Sequence, residues 1–290
     1  MNVYLIGYNG WIGSKMQKLF KLNNINYITS KYRAENNEVL DDILNNNITH
    51  VFCCSGRTHG TLDNIKYNSI DYLEDNRVLY ENINDNLYVP VKLALFCDKN
   101  NIHFTYIGTG CIYEYNNFNK QDIGFTEEDE PNFSGSNYSI VKTFTDKILK
   151  DTKALILRIR MPLSYEHNDR NLITKLLKYD KICSIPNSMT ILDDMLPISI
   201  DMMKNKETGI YNFTNPGTIS HNEILELYKN IVDNNIKWEN FDIEEQNKII
   251  KSKRSNNKLD TSKLEKKYNI INIKDGIVNM FNNMKKNTNS

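Results

Sequence analysis

The chain has 290 residues, 40% of them hydrophobic, with 36 Lys and Arg balanced by 36 Asp and Glu. That length carries a core of ordinary size, and the zero net charge excludes a protein built mainly to grip a phosphate backbone, so no nucleic-acid partner is expected. The five cysteines, Cys53, Cys54, Cys97, Cys111 and Cys183, form no CxxC pair and no His/Cys cluster of zinc spacing, so no metal is expected and they read as free thiols in a reducing compartment.

The chain opens on an apolar run, "VYLI" at 3–6, followed at once by Gly7, Gly10 and Gly13 and by a segment whose Ile12, Met16, Leu19 and Phe20 share one helical face. A strand that turns sharply into a helix needs glycine for its backbone angles, and a pyrophosphate needs glycine for close approach to the helix N-terminus. The GxxGxxG spacing therefore points to a dinucleotide site; the alternative is a turn and nothing more. A second strand near Asn26 to Thr29 lacks the terminal Asp or Glu that would hold a ribose 2′-hydroxyl. Lys31 and Arg33 follow it and suit a 2′-phosphate, which favours NADPH over NADH. They read equally as two solvated loop cations.

The next run, "HVFCC" at 50–54, ends just before Arg57 and Thr58, which are expected to line the cofactor or sugar site. "FTYIG" at 104–108 leads into Thr109 and Cys111, beyond a strand end where open α/β sheets bind ligands. "NYSIVK" then supplies Tyr138 and Lys142, four apart on one helical face. A lysine ammonium beside a phenol lets the phenol give a proton to a carbonyl oxygen as hydride arrives, and Thr109 can bond the same oxygen, so the three form a ketone-reductase triad. Cys111 has no place in a reductase, and the plain reading is a small buried hydrophobe. Ile140, Val141, Phe144 and Ile148 repeat at helical spacing before the last clear strand, "ALILRI" at 154–159.

Past residue 160 the pattern is irregular; Ser220 or Asn222 could cap a further helix, and "MKKNTNS" reads as a frayed tail. The five histidines form no motif. No apolar stretch reaches the roughly 20 residues of a membrane span, and no charged-then-apolar leader opens the chain, which points to a cytoplasmic protein without a membrane partner. Strands alternating with helices predict right-handed βαβ units. The expected fold is α/β, a Rossmann-like doubly wound parallel sheet with a smaller C-terminal substrate-binding lobe. Residues 1–160, with about 190–214 returning, form the NADP-binding domain, and 161–189 with 215–290 form the lobe.

Read together, "GWIG", "THVFCCSGRT", "TGCIYEY", "GFTEEDEPNFSGSNYS", "LRIRMPLS", "NLITKLLKY", "IPNSMTILDDMLPISI" and "RSNNKLD" resemble one family, the bifunctional 3,5-epimerase/4-reductases that make UDP-L-rhamnose in plants and giant DNA viruses. More distantly the chain is similar to GDP-fucose synthases and dTDP-4-dehydrorhamnose reductases, all extended short-chain dehydrogenases. The resemblance implies a UDP-sugar substrate, UDP-4-keto-6-deoxy-glucose, whose 4-keto group acidifies the C–H bonds at carbons 3 and 5. It makes Cys111 and Lys175 the acid/base pair that inverts both carbons, although the residues alone would leave Lys175 a solvated helix position. It adds Trp11, Ile12, Gly56 and Met161 to the cofactor contacts, and Asn86, Asn171, Arg254 and Asn257 to Thr58 as substrate residues, with Asn86 in a structural role. Arg254 would clamp the diphosphate. A homodimer, a cytoplasmic site (host cytoplasm for a viral protein) and an upstream UDP-glucose 4,6-dehydratase complete the expectation. A reductase with an inert Cys111 and an NADPH-binding sensor without turnover are the rivals.

Overall fold

The computed structural model describes residues 1–115 and 118–288. Six parallel strands form the central sheet: β1 (Asn2–Ile6), β2 (Asn26–Thr29), β3 (His50–Cys53), β4 (His103–Thr109), β5 (Leu155–Ile159) and β6 (Gly209–Asn212), in spatial order β2-β1-β3-β4-β5-β6. Outside the edge strand β2, their apolar residues are buried on both faces, as a covered parallel sheet requires. One face packs on α1 (Trp11–Leu22) and α6 (Leu192–Lys204) through Met16, Phe20, Leu196 and Met203. The other packs on α2 (Glu38–Asn45) and α3 (Val89–Lys99) through Val39, Ile43, Leu93 and Cys97. Because the chain winds outward in both directions from β1, the crevice at the carboxyl ends of β1 and β3 is the switch point where such sheets take ligands.

α4 (Asn137–Lys150) lies beside α3 and starts from a Ser136 cap whose Oγ accepts from the Ser139 N–H. Its periodicity misleads. Val141 is buried, but Ile140, Phe144 and Ile148 face outward, and the buried side of the helix is Ser139, Lys142, Thr145, Asp146 and Leu149. The polar face wins because it has partners: Asp146 takes a bidentate bond from Arg158 of β5, 2.9 Å at Nε, with both side chains buried.

Beyond β5 the chain crosses at Met161, a non-glycine residue at φ 38°, a sparsely populated conformation. It enters a third apolar core around Leu163, Ile173, Ile191, Ile219 and Phe281. That core is enclosed by α5 (Leu172–Leu176), α7 (His221–Ile231) and α8 (Ile273–Thr288). Ser220, one of the two expected caps, opens α7 with a capping box to Glu223. The expected frayed tail continues α8 as far as Thr288, and Asn289 and Ser290 lie outside the described residues.

Candidate active site

At the switch point Gly7 leaves β1 with φ +81°, and a Cβ there would sit 2.9 Å from the Cys54 carbonyl carbon. A Cβ on Gly13 would press on the Gly7 carbonyl and lie 2.6 Å from Tyr8 Cα. Strand, turn and helix approach this closely only with glycine. Gly10 is the N-cap of α1, with no side-chain cap and no acid in the first turn, so the opening N–H groups and the positive helix end are left to a ligand. A cavity of about 370 Å³ lies above them, lined by Gly7, Gly10, Ser30, Tyr32, Arg33, Glu35, Gly56, Arg57, His59 and Arg170 among others. Uncapped donors beneath an open cavity fit a dinucleotide diphosphate.

Several expected contacts need correction. The Trp11 and Ile12 side chains turn into the first core, away from the cavity, leaving only their main chain for a cofactor. Lys31 is exposed and outside the cavity lining, whereas Arg33 lines it but is paired with Glu35, an acid that the second strand had seemed to lack. Asn86 is fully buried and is not part of this cavity's lining. It accepts from the Arg57 N–H at 3.0 Å and donates to the Arg57 carbonyl at 2.9 Å, so it fixes the turn after β3, as a structural residue does. Arg57 itself donates from Nε to Asp85 at 2.6 Å, and Thr58 beside it stays outside the lining.

His59 and Arg170 are among the cavity residues that sequence reasoning missed. The Arg170 Nη2 donates to His59 Nε2 at 2.6 Å, which places the imidazole proton on Nδ1, a buried atom with no partner. Burial, with Arg170 and Arg57 close by, pushes the His59 pKa down to about 4, so the ring is neutral at physiological pH. No motif spacing announces either residue; one sits in a polar turn and the other in a polar stretch before α5.

At the end of β4 a second group assembles. Thr109 Oγ1 accepts from the Cys111 N–H at 3.1 Å and its hydroxyl lies near the Tyr138 phenol, while Ser139 donates to the Cys111 carbonyl at 2.7 Å. Thr109, Cys111 and Tyr138 are thus fixed against one another by the first turn of α4. Burial pushes the Tyr138 phenol well above its usual range, Cys111 adds to this, and the Thr109 hydroxyl pulls it back. One turn on, Lys142 is buried; its Nζ donates to the Tyr106 hydroxyl and lies 4.4 Å from that ring's centroid. Burial lowers the Lys142 ammonium to about 8.

The loop carrying Cys111 is braced from the far side of the chain. Asn257, fully buried, donates to the Gly110 carbonyl at 3.0 Å and the Tyr113 carbonyl at 2.9 Å and so holds this loop, while its Oδ1 has no partner among the described residues. Asn171, also expected at the substrate, is fully occupied within the protein. Buried at the N-cap of α5, it spends its amide on the Ser164 and Glu166 carbonyls and its oxygen on the Ile173 N–H.

Lys175 is half-buried in α5, and its side chain has no hydrogen-bond or ion-pair partner among the described residues. Burial lowers its ammonium, and Arg254 and Arg170 lower it further. Arg254 donates to Asp71 at 2.8 Å. Burial alone would raise the Asp71 carboxyl, but the Arg254 guanidinium and the Ser69 hydroxyl outweigh it and hold it far below the carboxylate range. Met161 marks the crossing from sheet to lobe and packs against the lobe core. Among the described residues no His, Cys, Asp and Glu group could hold a metal ion, and no helix is long and apolar enough to cross a membrane.

No family model matches the chain. The crystal structure of a UDP-rhamnose synthase from Acanthamoeba polyphaga mimivirus superposes with a TM-score of 0.93 at 47% identity, covering 97% of this chain and 99% of that one. A bifunctional dTDP-4-dehydrorhamnose 3,5-epimerase/reductase of Arabidopsis thaliana is 41% identical over 283 residues, 96% of this chain and 91% of its own length. A trifunctional Arabidopsis UDP-glucose 4,6-dehydratase/3,5-epimerase/reductase is 41% identical over 280 residues, and the chain spans 41% of its length.

Proposed function

The chain belongs to the bifunctional nucleotide-sugar 3,5-epimerase/4-reductases of the extended short-chain dehydrogenase/reductase family, and from that premise we propose that it converts UDP-4-keto-6-deoxy-D-glucose to UDP-L-rhamnose. The observation that carries the reading is the joint packing of Thr109, Cys111 and Tyr138 at the end of β4, with Lys142 one helical turn on. A plain ketone reductase would use three of these four.

The cofactor is a nicotinamide dinucleotide, held by the glycine turn and the first turn of α1, and it supplies the hydride for carbon 4 when bound. NADPH is the proposed form, with Arg33 released from Glu35 to meet the 2′-phosphate. Around it, the residues move protons. Cys111 and Lys175 remove and return the protons at carbons 3 and 5 from opposite sides of the sugar, and the 4-keto oxygen carries the enolate charge meanwhile. Lys142 keeps a positive charge beneath the reduction site, and Tyr138 gives its phenolic proton to the 4-oxygen while Thr109 orients that oxygen. Arg254, turning from Asp71, is the residue for the sugar diphosphate.

A separate 4,6-dehydratase supplies the ketosugar, the activity that the trifunctional Arabidopsis relative carries in its own chain. We place the protein in the cytoplasm, where five free thiols stay reduced. Its partner is a second copy: Tyr80, Ile83, Tyr88, Phe144 and Ile148 are 41–77% exposed on adjoining helices, an apolar face that suits pairing.

The test is an incubation with UDP-4-keto-6-deoxy-glucose and NADPH in deuterated water, followed by NMR. Rhamnose carrying deuterium at carbons 3 and 5 is expected, and both labels vanish in Cys111→Ser. NADPH loss without label would leave a 4-ketoreductase, and no loss would leave a cofactor-binding sensor. NADH replacing NADPH at equal KM would remove the role given to Arg33.

A further inference from the structure

Two arginines leave β5 two residues apart, and their surroundings differ in one respect. Arg158 faces the Asp146 carboxylate. Arg160, 1% exposed, donates to the Gly110, Ser188 and Ser255 carbonyls at 3.0–3.3 Å, to the Ser255 hydroxyl at 3.0 Å and to the Asn187 amide oxygen, and all of these acceptors are neutral. No carboxylate pairs with it among the described residues. A buried cation without an anion is among the costliest arrangements in a protein interior, even when its hydrogen bonds are complete. Two groups in reach can become anions: Tyr115, whose phenol burial pushes up to about 12, and Cys111, whose Sγ lies 3.9 Å from Nη1.

The titratable groups that face Cys111 are Tyr138 and Lys142 from α4 and Arg160 from the segment after β5, with Tyr115 on the other side of the guanidinium. Lys142 is turned toward Tyr106, which leaves Arg160 as the cation aimed at the sulfur. A Cβ on Gly110 would lie 3.0 Å from Arg160 Cγ, so the glycine lets the guanidinium reach the loop.

We propose that Arg160 is the counter-ion of the Cys111 thiolate and the tether that aims it, a positioning residue for the epimerase half of the reaction. The inference rests on the assignment of Cys111 to the acid/base pair. The thiolate takes a proton from a sugar carbon and becomes a thiol, the electron pair of the broken C–H bond moves into the 4-keto system, and the Lys175 ammonium returns a proton on the opposite face. With Arg160 neutralised the charge at the sulfur loses its counter-ion, and reduction of a sugar that is already inverted is spared.

The experiment compares the full-length wild type with Arg160→Gln, Arg160→Lys and Cys111→Ser. It reads deuterium exchange at carbons 3 and 5 against pH, peptide-resolved alkylation of Cys111 by iodoacetamide against pH, and reduction of pre-epimerised substrate. For Arg160→Gln, exchange and alkylation at pH 7 are expected to fall about tenfold or more and their pH midpoints to rise by at least about one unit; reduction changes by less than about threefold. Arg160→Lys, which keeps the charge but loses the fork, restores most of the alkylation. Equal loss of exchange and reduction with unmoved pH midpoints would make Arg160 a structural staple and overturn the proposal. If Arg160→Gln does not fold, Arg160→Lys decides: an unmoved midpoint with retained alkylation supports the charge role, and lost exchange with lost alkylation overturns it. Exchange that persists in Cys111→Ser sinks the assignment of the cysteine instead, a separate failure.

Discussion

The two proposed members of the epimerase pair sit in contrasting surroundings. Cys111 is surrounded by buried polar groups bonded to one another: Thr109, Ser139, Arg160 and Asn257 fix its loop from four directions. Lys175 projects from a five-residue helix with no side-chain partner among the described residues, beside cations that depress it. One group is built into the sheet and the other hangs from the lobe. The difference teaches that precision is invested where two chemistries share a site. The end of β4 must serve both inversion and reduction, whereas the lysine serves only the first.

If that contrast holds, damage to the braced side should be far larger. Tyr138→Phe removes the proton donor and should lower reduction about 10²–10⁴-fold, with deuterium exchange retained; NADPH consumption and NMR on one sample read both. Asp146→Asn leaves Arg158 a buried cation without its anion and should cost about 3–5 kcal/mol of stability in a denaturant titration. A loss under about 1 kcal/mol would mean that α4 is held by its apolar contacts. For pH, Lys142 is charged below about 8 and neutral above, so reduction should fall roughly tenfold per unit on that alkaline limb, and a profile flat to pH 10 would exclude the lysine. On the lobe side Asn171→Ala should cost about 1 kcal/mol, the worth of a helix cap. Lys175→Met should shift stability by less than about 0.5 kcal/mol while abolishing exchange. A destabilised Lys175→Met would erase the contrast.

The same contrast explains what the sequence could reveal. Gly7, Gly10 and Gly13 announce themselves because a steric demand leaves one residue type, and Tyr138 and Lys142 because a helical turn sets their spacing. The inward face of α4 was hidden: hydrophobic periodicity pointed to Ile140, Phe144 and Ile148, which are exposed, since the polar face is chosen by Arg158, a partner outside the helix. Asn171 and Asn257 were read as substrate groups because their position near the site was legible, whereas the internal bonds that occupy the whole Asn171 amide and the Asn257 Nδ2 were not. His59, Arg160 and Arg170 carry no spacing signal at all. Their neighbours are set by the fold, as with Asn187 and Ser255 around one guanidinium.

The bond from Asn257 to Gly110 spans 147 residues. During synthesis at about 5–20 residues per second, domains fold from the N-terminal side. The glycine turn, completed by residue 13, packs against Cys54 and Ser55 and can take shape early. The clasp on the thiol's loop must wait until residue 257 has left the ribosome, roughly 7–30 seconds after Cys111 at those rates. A nascent chain can therefore acquire its nucleotide pocket well before it acquires its proton chemistry, and a fragment truncated before Asn257 should bind without inverting anything.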